Sequence, residues 1–322
     1  MRISQFTLAT LISCARASAF VGPSLRLCSE HRTFLASFVE SGGRSKDEIA
    51  SELEGGKVLE GGQVIDFSAV KGPSHAEQAL LRARESLIGS LKHHHVTFPT
   101  AILGINDEVI QEVGHDLGTF ADPETVQKCA SYLRSMAPAG LFEKKEGIED
   151  SASFTDDEKI KFQELIRKAY EESGEVTGAF AKTFYMGTQL LGEEARRAIW
   201  AIYVWCRRTD EIVDAPRDNE EDMLYDLSAW EVRLENLWKY GQVEDVFDLC
   251  LLDVHVKYPD LSITPFVDMI RGMLMDVPGL GQERYDNFDE LHLYCYRVAG
   301  TVGLMSMPIF GCAPGFTAEQ AK

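Results

Sequence analysis

The chain has 322 residues, enough for one large domain or two small ones. It is 45% hydrophobic and 26% charged, which is typical of a folded protein and argues against wholesale disorder. Asp and Glu number 51 against 32 Lys and Arg, and the resulting net charge of -19 argues against general nucleic-acid binding, which needs a basic surface.

The first 46 residues differ in character from the rest and predict a targeting leader. Arg2 precedes a short apolar stretch over 3–15 and the small residues 17–19, the order found in a signal peptide. Sequence rich in Ser and Arg and poor in acid follows to Lys46, as in a transit peptide. The junction at Ala19 and Phe20 resembles the plastid-targeting junction of algae whose plastids derive from a red alga. We therefore expect residues 1–46 to be a signal plus plastid transit peptide. The alternative is an ordinary secretory signal with a disordered tail.

Residues 47–150 predict a linker followed by an N-terminal helical extension. The stretch 47–75 is rich in glycine, and short amphipathic helices are expected over 75–92 and 106–135. The triplet His93-His94-His95 raises the question of a metal site. Because adjacent helical positions point in different directions and no second ligand group follows at a fixed spacing, we interpret it as a solvated loop.

From residue 151 onward the pattern predicts helices, so the expected fold class is all-α. Thr155 and Glu158 form a capping box before a helix that runs to about Ser173. Further helices are expected over about 176–190, 193–213, 218–241 and 243–257. Thr264-Pro265 opens another, and Asn287 with Glu290 opens a long apolar helix to about Phe310.

Two features of this helical part exclude particular classes of structure. The uncharged stretch from Val298 to Phe316 contains several Gly and Pro residues, which disfavour a continuous membrane-spanning helix. The seven cysteines are odd in number and form no Cys-x-x-Cys pair. We therefore expect free, mostly buried thiols rather than a disulfide framework or a zinc site.

The most informative segment runs from Ala198 to Asp214. Its first nine residues are apolar on every side, which predicts a helix buried all round. A helix turns 100° per residue, so Tyr203, Arg207, Asp210 and Asp214 share an arc of about 60°. These four side chains therefore form one narrow stripe at the end of a buried helix.

Two carboxylates in this stripe need a counter-charge. Asp210 and Asp214, four residues apart, repel each other by about 0.2–0.5 kcal/mol even when exposed, and by more when buried. Arg207 offsets part of this repulsion, and a divalent cation offsets it better. Oxygen ligands with open positions suit Mg²⁺, with Mn²⁺ as the alternative. The implied substrate is a phosphate or diphosphate, whose oxygens Arg207 can bind.

The spacing Asp-x-x-x-Asp is weak evidence by itself, because a chain of this length shows about one such pair by chance. Asp218, Asp222 and Asp226 repeat it at a predicted helix start, where acidic residues favour the helix dipole. We interpret those three as a solvated N-terminus.

Four segments closely resemble the phytoene synthases of plants, algae and cyanobacteria, in the squalene/phytoene synthase family. They are Ala181 to Tyr185, Arg196 to Asp214, Thr264 to Asp276, and Tyr294 to Gly303. The resemblance covers about 160–316 and says little about 47–150. It implies an all-α, isoprenoid synthase-type helical bundle with a central tunnel.

The resemblance also implies roles for individual residues. Asp210, Asp214 and Tyr294 would be catalytic, and the metal ligands would be Asp210 and Asp214 with Glu211 as an accessory. Substrate contacts, either to the diphosphate or to the prenyl chains, would come from Thr183, Phe184, Tyr203, Arg207, Val298, Ala299, Val302 and Gly303.

One departure from the family pattern concerns its second aspartate-rich motif, which the sequence lacks. After Gly315 a helix begins at Thr317 with Glu319 in its first turn, and it is cut off after about one turn. We therefore expect residues 151–322 to be an incomplete squalene/phytoene synthase domain whose C-terminal helices are missing. We further expect that residues 1–322 alone are inactive, whereas the complete form is active.

The implied function is head-to-head condensation of two geranylgeranyl diphosphates, through a cyclopropyl diphosphate intermediate, to phytoene, the first committed step of carotenoid biosynthesis. The alternatives are a squalene-type synthase that uses farnesyl diphosphate and a non-catalytic member that acts as a scaffold. The lipophilic product is compatible with peripheral contact with plastid membranes. The sequence does not determine the oligomeric state.

Overall fold

The computed structural model describes residues 117–148, 153–214, 220–277 and 287–312, together with the isolated positions 82, 85, 88, 89, 113, 285 and 315. The leader, the glycine-rich linker, the histidine triplet, Asp218, and Thr317 with Glu319 lie outside the described residues. The regular elements within the described ranges are all helices, which confirms the all-α prediction there.

The helices follow one another with short connections. They are α1 (Pro123–Met136), α2 (Asp156–Phe180), α3 (Lys182–Thr188), α4 (Glu193–Asp214), α5 (Glu220–Tyr240), α6 (Val246–Lys257), α7 (Thr264–Met273), α8 (Phe288–Cys295), a π-helical turn (Tyr296–Gly300) and α9 (Thr301–Phe310).

The predicted start of α2 is confirmed, but its predicted end is wrong. Thr155 accepts from the backbone N–H of Glu158, and the Glu158 side chain accepts from the backbone N–H of Thr155, which completes the capping box. The helix then continues through Gly174 and ends at Phe180, well beyond Ser173. Packing explains the difference, because a Cβ at Gly174 would lie 2.8 Å from the Trp200 ring. The glycine admits a neighbouring helix and does not end its own.

The long apolar helix that was expected after Asn287 is interrupted. Asn287 caps α8 by accepting from the backbone N–H of Glu290, as predicted. The chain then passes through the π-helical turn before α9 begins at Thr301. Since a π-helical turn is underwound, it rotates α9 relative to α8, and such turns are frequent at functional sites.

Helix α4 lies at the centre of the bundle. It packs against α2, α5, α6, α7 and α9, which explains why its first half is apolar on every side. Trp205 illustrates the packing, with its ring 4.8 Å from that of Phe266 on α7 and 6.0 Å from that of Trp230 on α5. The bundle therefore holds the C-terminal end of α4 in a fixed position.

A buried ionic network joins α4, α5 and α6. Asp245 caps α6 and accepts from Arg208 at 2.7 Å and from Arg233 at 2.6 Å, while Asp248 accepts from Arg233 at 2.7 Å. Although burial opposes it, the charges of the two arginines hold the pKa of Asp245 well below its usual range. This network occupies Arg208, so the adjacent Arg207 is the arginine that α4 directs to the predicted site.

The cysteines agree with the prediction of free thiols. Cys129, Cys206 and Cys250 are free and buried, Cys295 is half-buried, and Cys312 is exposed. Within the described ranges, no helix combines the length and the apolar character needed to cross a membrane.

Candidate active site

The four residues of the predicted stripe lie on one uninterrupted helix. Helix α4 is continuous from Glu193 to Asp214, so it presents Tyr203, Arg207, Asp210 and Asp214 on one side. The burial decreases along the stripe: Tyr203 is 3% exposed, the Asp210 side chain is 17% exposed, and Asp214 is exposed. The stripe therefore runs from the core of the bundle to an open end that solvent and a ligand can reach.

Arg207 is held by three neighbours within the same region. Its guanidinium lies 3.3 Å from the Asp210 carboxylate, forms an ion pair with Glu211, and lies 4.6 Å from the centre of the Phe180 ring. Glu211 is itself 6% exposed. The structure thus places Glu211 beside Arg207, and its accessory role at a metal stays a prediction.

The Asp210 carboxylate lies in an unfavourable environment for a charge. Burial, followed by the charge of Asp214, raises the pKa of Asp210 to about 7, and Asp276 adds to the effect while Arg207 opposes it. The ordinary value is 3.8. The two carboxylates of the stripe are therefore close enough to repel each other, as their spacing predicted.

Asp276 is a further carboxylate at this end of the bundle, and sequence reasoning assigned it no role. It follows α7 and accepts a hydrogen bond of 3.1 Å from the Tyr294 hydroxyl. Partial burial, together with the charge of Asp214, raises the pKa of Asp276 to about 6 against the opposing effect of the Tyr294 hydrogen bond. One signal could have revealed it, because Asp276 is an acidic residue that directly follows the apolar residues Met273, Leu274 and Met275 at the end of α7.

Aromatic rings extend from the carboxylates into the bundle. The Phe184 ring on α3 lies 5.5 Å from that of Tyr203, and the Tyr285 ring lies 5.2 Å from that of Tyr294. Thr183, on the same short helix as Phe184, is exposed. The structure thus brings Phe184 against the stripe, and Tyr294 reaches the same end from α8.

Helix α3 is held in place by Trp200 of α4. The indole N–H donates to the Thr188 hydroxyl at 2.9 Å, and the indole stacks on Tyr185 at 5.5 Å with an interplanar angle of 13°. Because both partners belong to α3, this one side chain fixes the helix that carries Phe184.

The predicted prenyl wall falls on the π-helical turn and α9. Val298 and Val302 are buried, whereas Ala299 and Gly303 are half-buried. A Cβ added at Gly303 would have no neighbour within 4 Å, so there is space beside it. The turn approaches α7 closely, since a Cβ at Gly272 would lie 2.9 Å from that of Arg297.

The central tunnel stays a prediction. A cavity of about 370 Å³ lies against Tyr170, Glu193, Arg197 and Tyr258. That cavity is at the other end of α4, about 18–25 Å along the helix from Asp210.

The donor set at this end of the bundle fits a divalent cation that is shared with a phosphate ligand. Asp210 and Asp214 supply only oxygen donors, and their mutual repulsion is relieved by a positive charge. Within the described part of the chain, no group of three or more His, Cys, Asp or Glu side chains is arranged to hold a metal ion. The oxygen donors of Asp210 and Asp214 suit a divalent cation such as Mg²⁺, which binds through one or two carboxylates and completes its shell with water and phosphate oxygens.

The second run of aspartates differs in part from the prediction. Asp222 is exposed, as expected of a solvated helix start. Asp226 is 3% exposed, so its predicted exposure is wrong. It lies one turn before Trp230 on the side of α5 that packs into the bundle, together with Leu227.

Comparison with known proteins identifies what this helical region is similar to. Residues 177–321 match the squalene/phytoene synthase family. A chloroplastic phytoene synthase of Daucus carota is 52% identical over 162 residues, which are 50% of this chain and 39% of that protein. The 15-cis-phytoene synthase of Synechococcus elongatus is 54% identical over 146 residues, which are 45% of this chain and 46% of that protein. The chain spans less than half the length of these relatives.

Proposed function

Because residues 177–321 belong to the squalene/phytoene synthase family, we propose that the protein condenses two geranylgeranyl diphosphates head to head into phytoene. The reaction passes through a cyclopropyl diphosphate intermediate and begins carotenoid biosynthesis. The observation that carries the proposal is the pair Asp210 and Asp214 at the open end of the buried helix α4, next to an aromatic lining. The names of the similar proteins, all phytoene synthases, support the same reaction.

The diphosphate binds at the open end of the stripe. Arg207 presents a guanidinium there and can donate to phosphate oxygens, for which its planar fork is well suited. Its ion pairs with Asp210 and Glu211 orient it before the ligand arrives. Thr183 on the exposed side of α3 is a further donor to the diphosphate.

The carboxylates of the stripe supply the metal site. Asp210 and Asp214 would hold Mg²⁺, or Mn²⁺ in its place, which would supply Lewis-acid stabilisation of the negative charge on the leaving diphosphate. Glu211, through its ion pair, keeps Arg207 in position beside them.

The aromatic residues stabilise the carbocations that form when an allylic diphosphate ionises. Phe184 on α3 and Tyr203 on α4 present adjoining rings, and Tyr294 presents its ring from α8. Each face contributes about 0.5–2 kcal/mol to the stability of a nearby cation. Val298 and Ala299 on the π-helical turn, with Val302 and Gly303 on α9, exclude water from the prenyl chains.

The two alternatives are not favoured by the similar proteins, none of which is named as a squalene synthase or a scaffold in the matches described above. The chloroplastic name of the Daucus carota protein supports a plastid location, which agrees with the bipartite leader predicted over residues 1–46. A plastid location also places the lipophilic product next to membranes.

The test is an assay of the complete translation product of the gene with geranylgeranyl diphosphate, with and without MgCl₂, and with farnesyl diphosphate in parallel. Phytoene is the expected product, formed only with the metal. Asp210→Asn or Asp214→Asn should lower Mg²⁺-dependent turnover about a hundredfold or more, because each removes a ligand from the cation.

Asp222→Asn is the matched control, since it changes an exposed aspartate of the other Asp-x-x-x-Asp run and should leave turnover unchanged. Circular dichroism should show the same helix content in all variants. Unchanged turnover in either stripe variant would refute the metal assignment. Exclusive use of farnesyl diphosphate would support the squalene-type reaction instead.

A further inference from the structure

Two tyrosine–aspartate hydrogen bonds join α7 to the segment from α8 to the π-helical turn. Tyr296 donates to Asp268 at 3.0 Å, and Tyr294 donates to Asp276 at 3.1 Å. The two bonds are similar in length and connect the same two segments, 264–276 and 288–300. The surroundings of the two aspartates can therefore be compared directly.

The surroundings of the two aspartates differ. Asp268 forms an ion pair of 2.9 Å with Arg271, so its charge is compensated. In the part of the chain that the structure describes, Asp276 has no such ion pair. Its charge acts instead on Asp210, as part of the environment that raises the pKa of that carboxyl.

The second Tyr–Asp bond therefore lies at the carboxylate end of the bundle. The pKa of Tyr294 is raised by burial first and by the charge of Asp276 next, and the charge of Asp210 also contributes. The Tyr285 ring, at 5.2 Å, lies against the Tyr294 ring and limits its rotation. Asp276 itself is anchored at the end of α7, where its backbone N–H donates to the Met273 carbonyl at 3.0 Å.

We infer that Asp276 is a positioning residue, which holds the Tyr294 phenol at the diphosphate end of the site by accepting its hydrogen bond. This inference rests on the proposed function for its consequence in catalysis. A hydrogen bond from a phenol to a carboxylate fixes the orientation of the ring, and it also makes the ring richer in electrons. Both effects improve the ability of the Tyr294 face to stabilise a carbocation.

The experiment compares Asp276→Ala, Asp276→Asn, Tyr294→Phe, and the double variant Asp276→Ala with Tyr294→Phe, all in the complete protein with geranylgeranyl diphosphate and MgCl₂. Asp276→Ala should lower kcat about a hundredfold, because the reacting groups lose their alignment, and it should change KM little. Asp276→Asn retains an acceptor and should recover part of the rate. In the Tyr294→Phe background, Asp276→Ala should have no further effect.

Asp268→Ala is the matched control. It removes the other Tyr–Asp hydrogen bond between the same elements and should leave kcat within about twofold of the unchanged protein. A loss of kcat in Asp268→Ala equal to that in Asp276→Ala would show a merely structural role for both. Asp276→Ala could instead lower kcat as much in the Tyr294→Phe background as in the unchanged protein. That result would show that Asp276 acts on the metal or the substrate directly, and it would also overturn the inference.

A second measurement does not depend on activity. Tyrosine labelled with ¹³C at Cζ gives one NMR signal per residue, and the Tyr294 signal is identified by its absence from Tyr294→Phe. Asp276→Ala should move this signal towards the position of an exposed tyrosine, whereas Asp268→Ala should leave it in place. An unmoved Tyr294 signal would overturn the inference. Absence of any turnover in the unchanged protein would contradict the proposed function, and the NMR comparison would still decide the positioning of Tyr294.

Discussion

At the scale of single residues, the informative feature is Asp210, whose carboxylate lies where a negative charge is unfavourable. In the part of the chain that the structure describes, burial desolvates Asp210, the charges of Asp214 and Asp276 repel it, and the charge of Arg207 compensates it in part. Such an arrangement costs stability, because the Asp210 charge is desolvated and is repelled by that of Asp214. A bound cation would offset this cost, and for that reason we assign the cation to Asp210 and Asp214.

The first prediction at this scale concerns the pH dependence of stability without metal. The pKa of Asp210 is about 7 in the folded protein, whereas its ordinary value is 3.8. At a pH between these two values, the folded protein therefore keeps a proton on Asp210 that the unfolded chain has released. The free energy of unfolding therefore falls as the pH rises from about 4 to about 7. Asp210→Asn should raise the free energy of unfolding by about 2–4 kcal/mol at about pH 8, and the gain should vanish below about pH 4.

Urea denaturation in EDTA at the two pH values measures this difference. Asp222→Asn serves as the control, because its side chain is exposed at the start of α5 and its replacement should have little effect at either pH. A stability gain of Asp210→Asn that is equal at both pH values would contradict the electrostatic origin.

At the scale of the elements, the position of α3 depends on how closely α2 approaches α4. Trp200 fixes α3 through Thr188 and Tyr185, and Gly174 of α2 leaves the space that the indole occupies. Gly174, next to the predicted end of the helix at Ser173, is therefore a packing residue. Its role follows from the distance between two helices, which no local pattern specifies.

Two glycines of α2 provide a matched pair for testing this packing. A Cβ at Gly174 would lie 2.8 Å from the Trp200 ring, whereas a Cβ at Gly178 would lie 3.6 Å from the Tyr185 ring, an ordinary contact. Gly174→Ala should therefore lower the free energy of unfolding by about 1–3 kcal/mol through overpacking. Gly178→Ala should raise it by about 0.5–1 kcal/mol, because alanine favours the helix.

The measurement is again urea denaturation, with near-ultraviolet circular dichroism as a probe of the Trp200 environment. Gly174→Ala should change the aromatic signal, and Gly178→Ala should preserve it. If both variants were stabilised to the same degree, the close approach of α2 to Trp200 would not limit the packing.

At the scale of the whole molecule, the unequal distribution of charge separates the predicted leader from the rest of the chain. Residues 1–46 contain six Lys and Arg against two Asp and Glu, although the whole chain carries a net charge of -19. A short apolar run followed by a basic, Ser-rich stretch is the composition of a signal joined to a transit peptide. The leader is a sequence-based proposal that the plastid names of similar proteins support.

The leader can be tested separately from the enzyme by fusing residues 1–46 to a fluorescent protein, in an alga whose plastid derives from a red alga. The fusion should accumulate in the plastid. Phe20→Ala should divert it to the secretory lumen, since the signal remains while the plastid junction is lost. Fluorescence microscopy decides the outcome, and secretion of the unchanged fusion would support the ordinary secretory signal instead.

The predictions that succeeded concern properties of one segment at a time. The capping residues Thr155 and Asn287, the buried character of α4, and the shared side of Tyr203 and Asp210 all follow from helix period and capping chemistry. The predictions that failed concern neighbours in space. The end of α2 was misplaced because Gly174 packs against Trp200, and Asp226 is buried because α5 turns that side towards the bundle.

The sequence by itself determined the helical class, the stripe of α4 and the chemistry that its carboxylates imply, because residues of one helix are related by a fixed rotation of 100°. Only the tertiary structure decided that Asp276 lies beside Tyr294, and that Phe184 lies against Tyr203. These pairs are separated by 18 and 19 residues and belong to different elements. Their contact depends on how helices pack, which side-chain shape and burial across the whole bundle determine together.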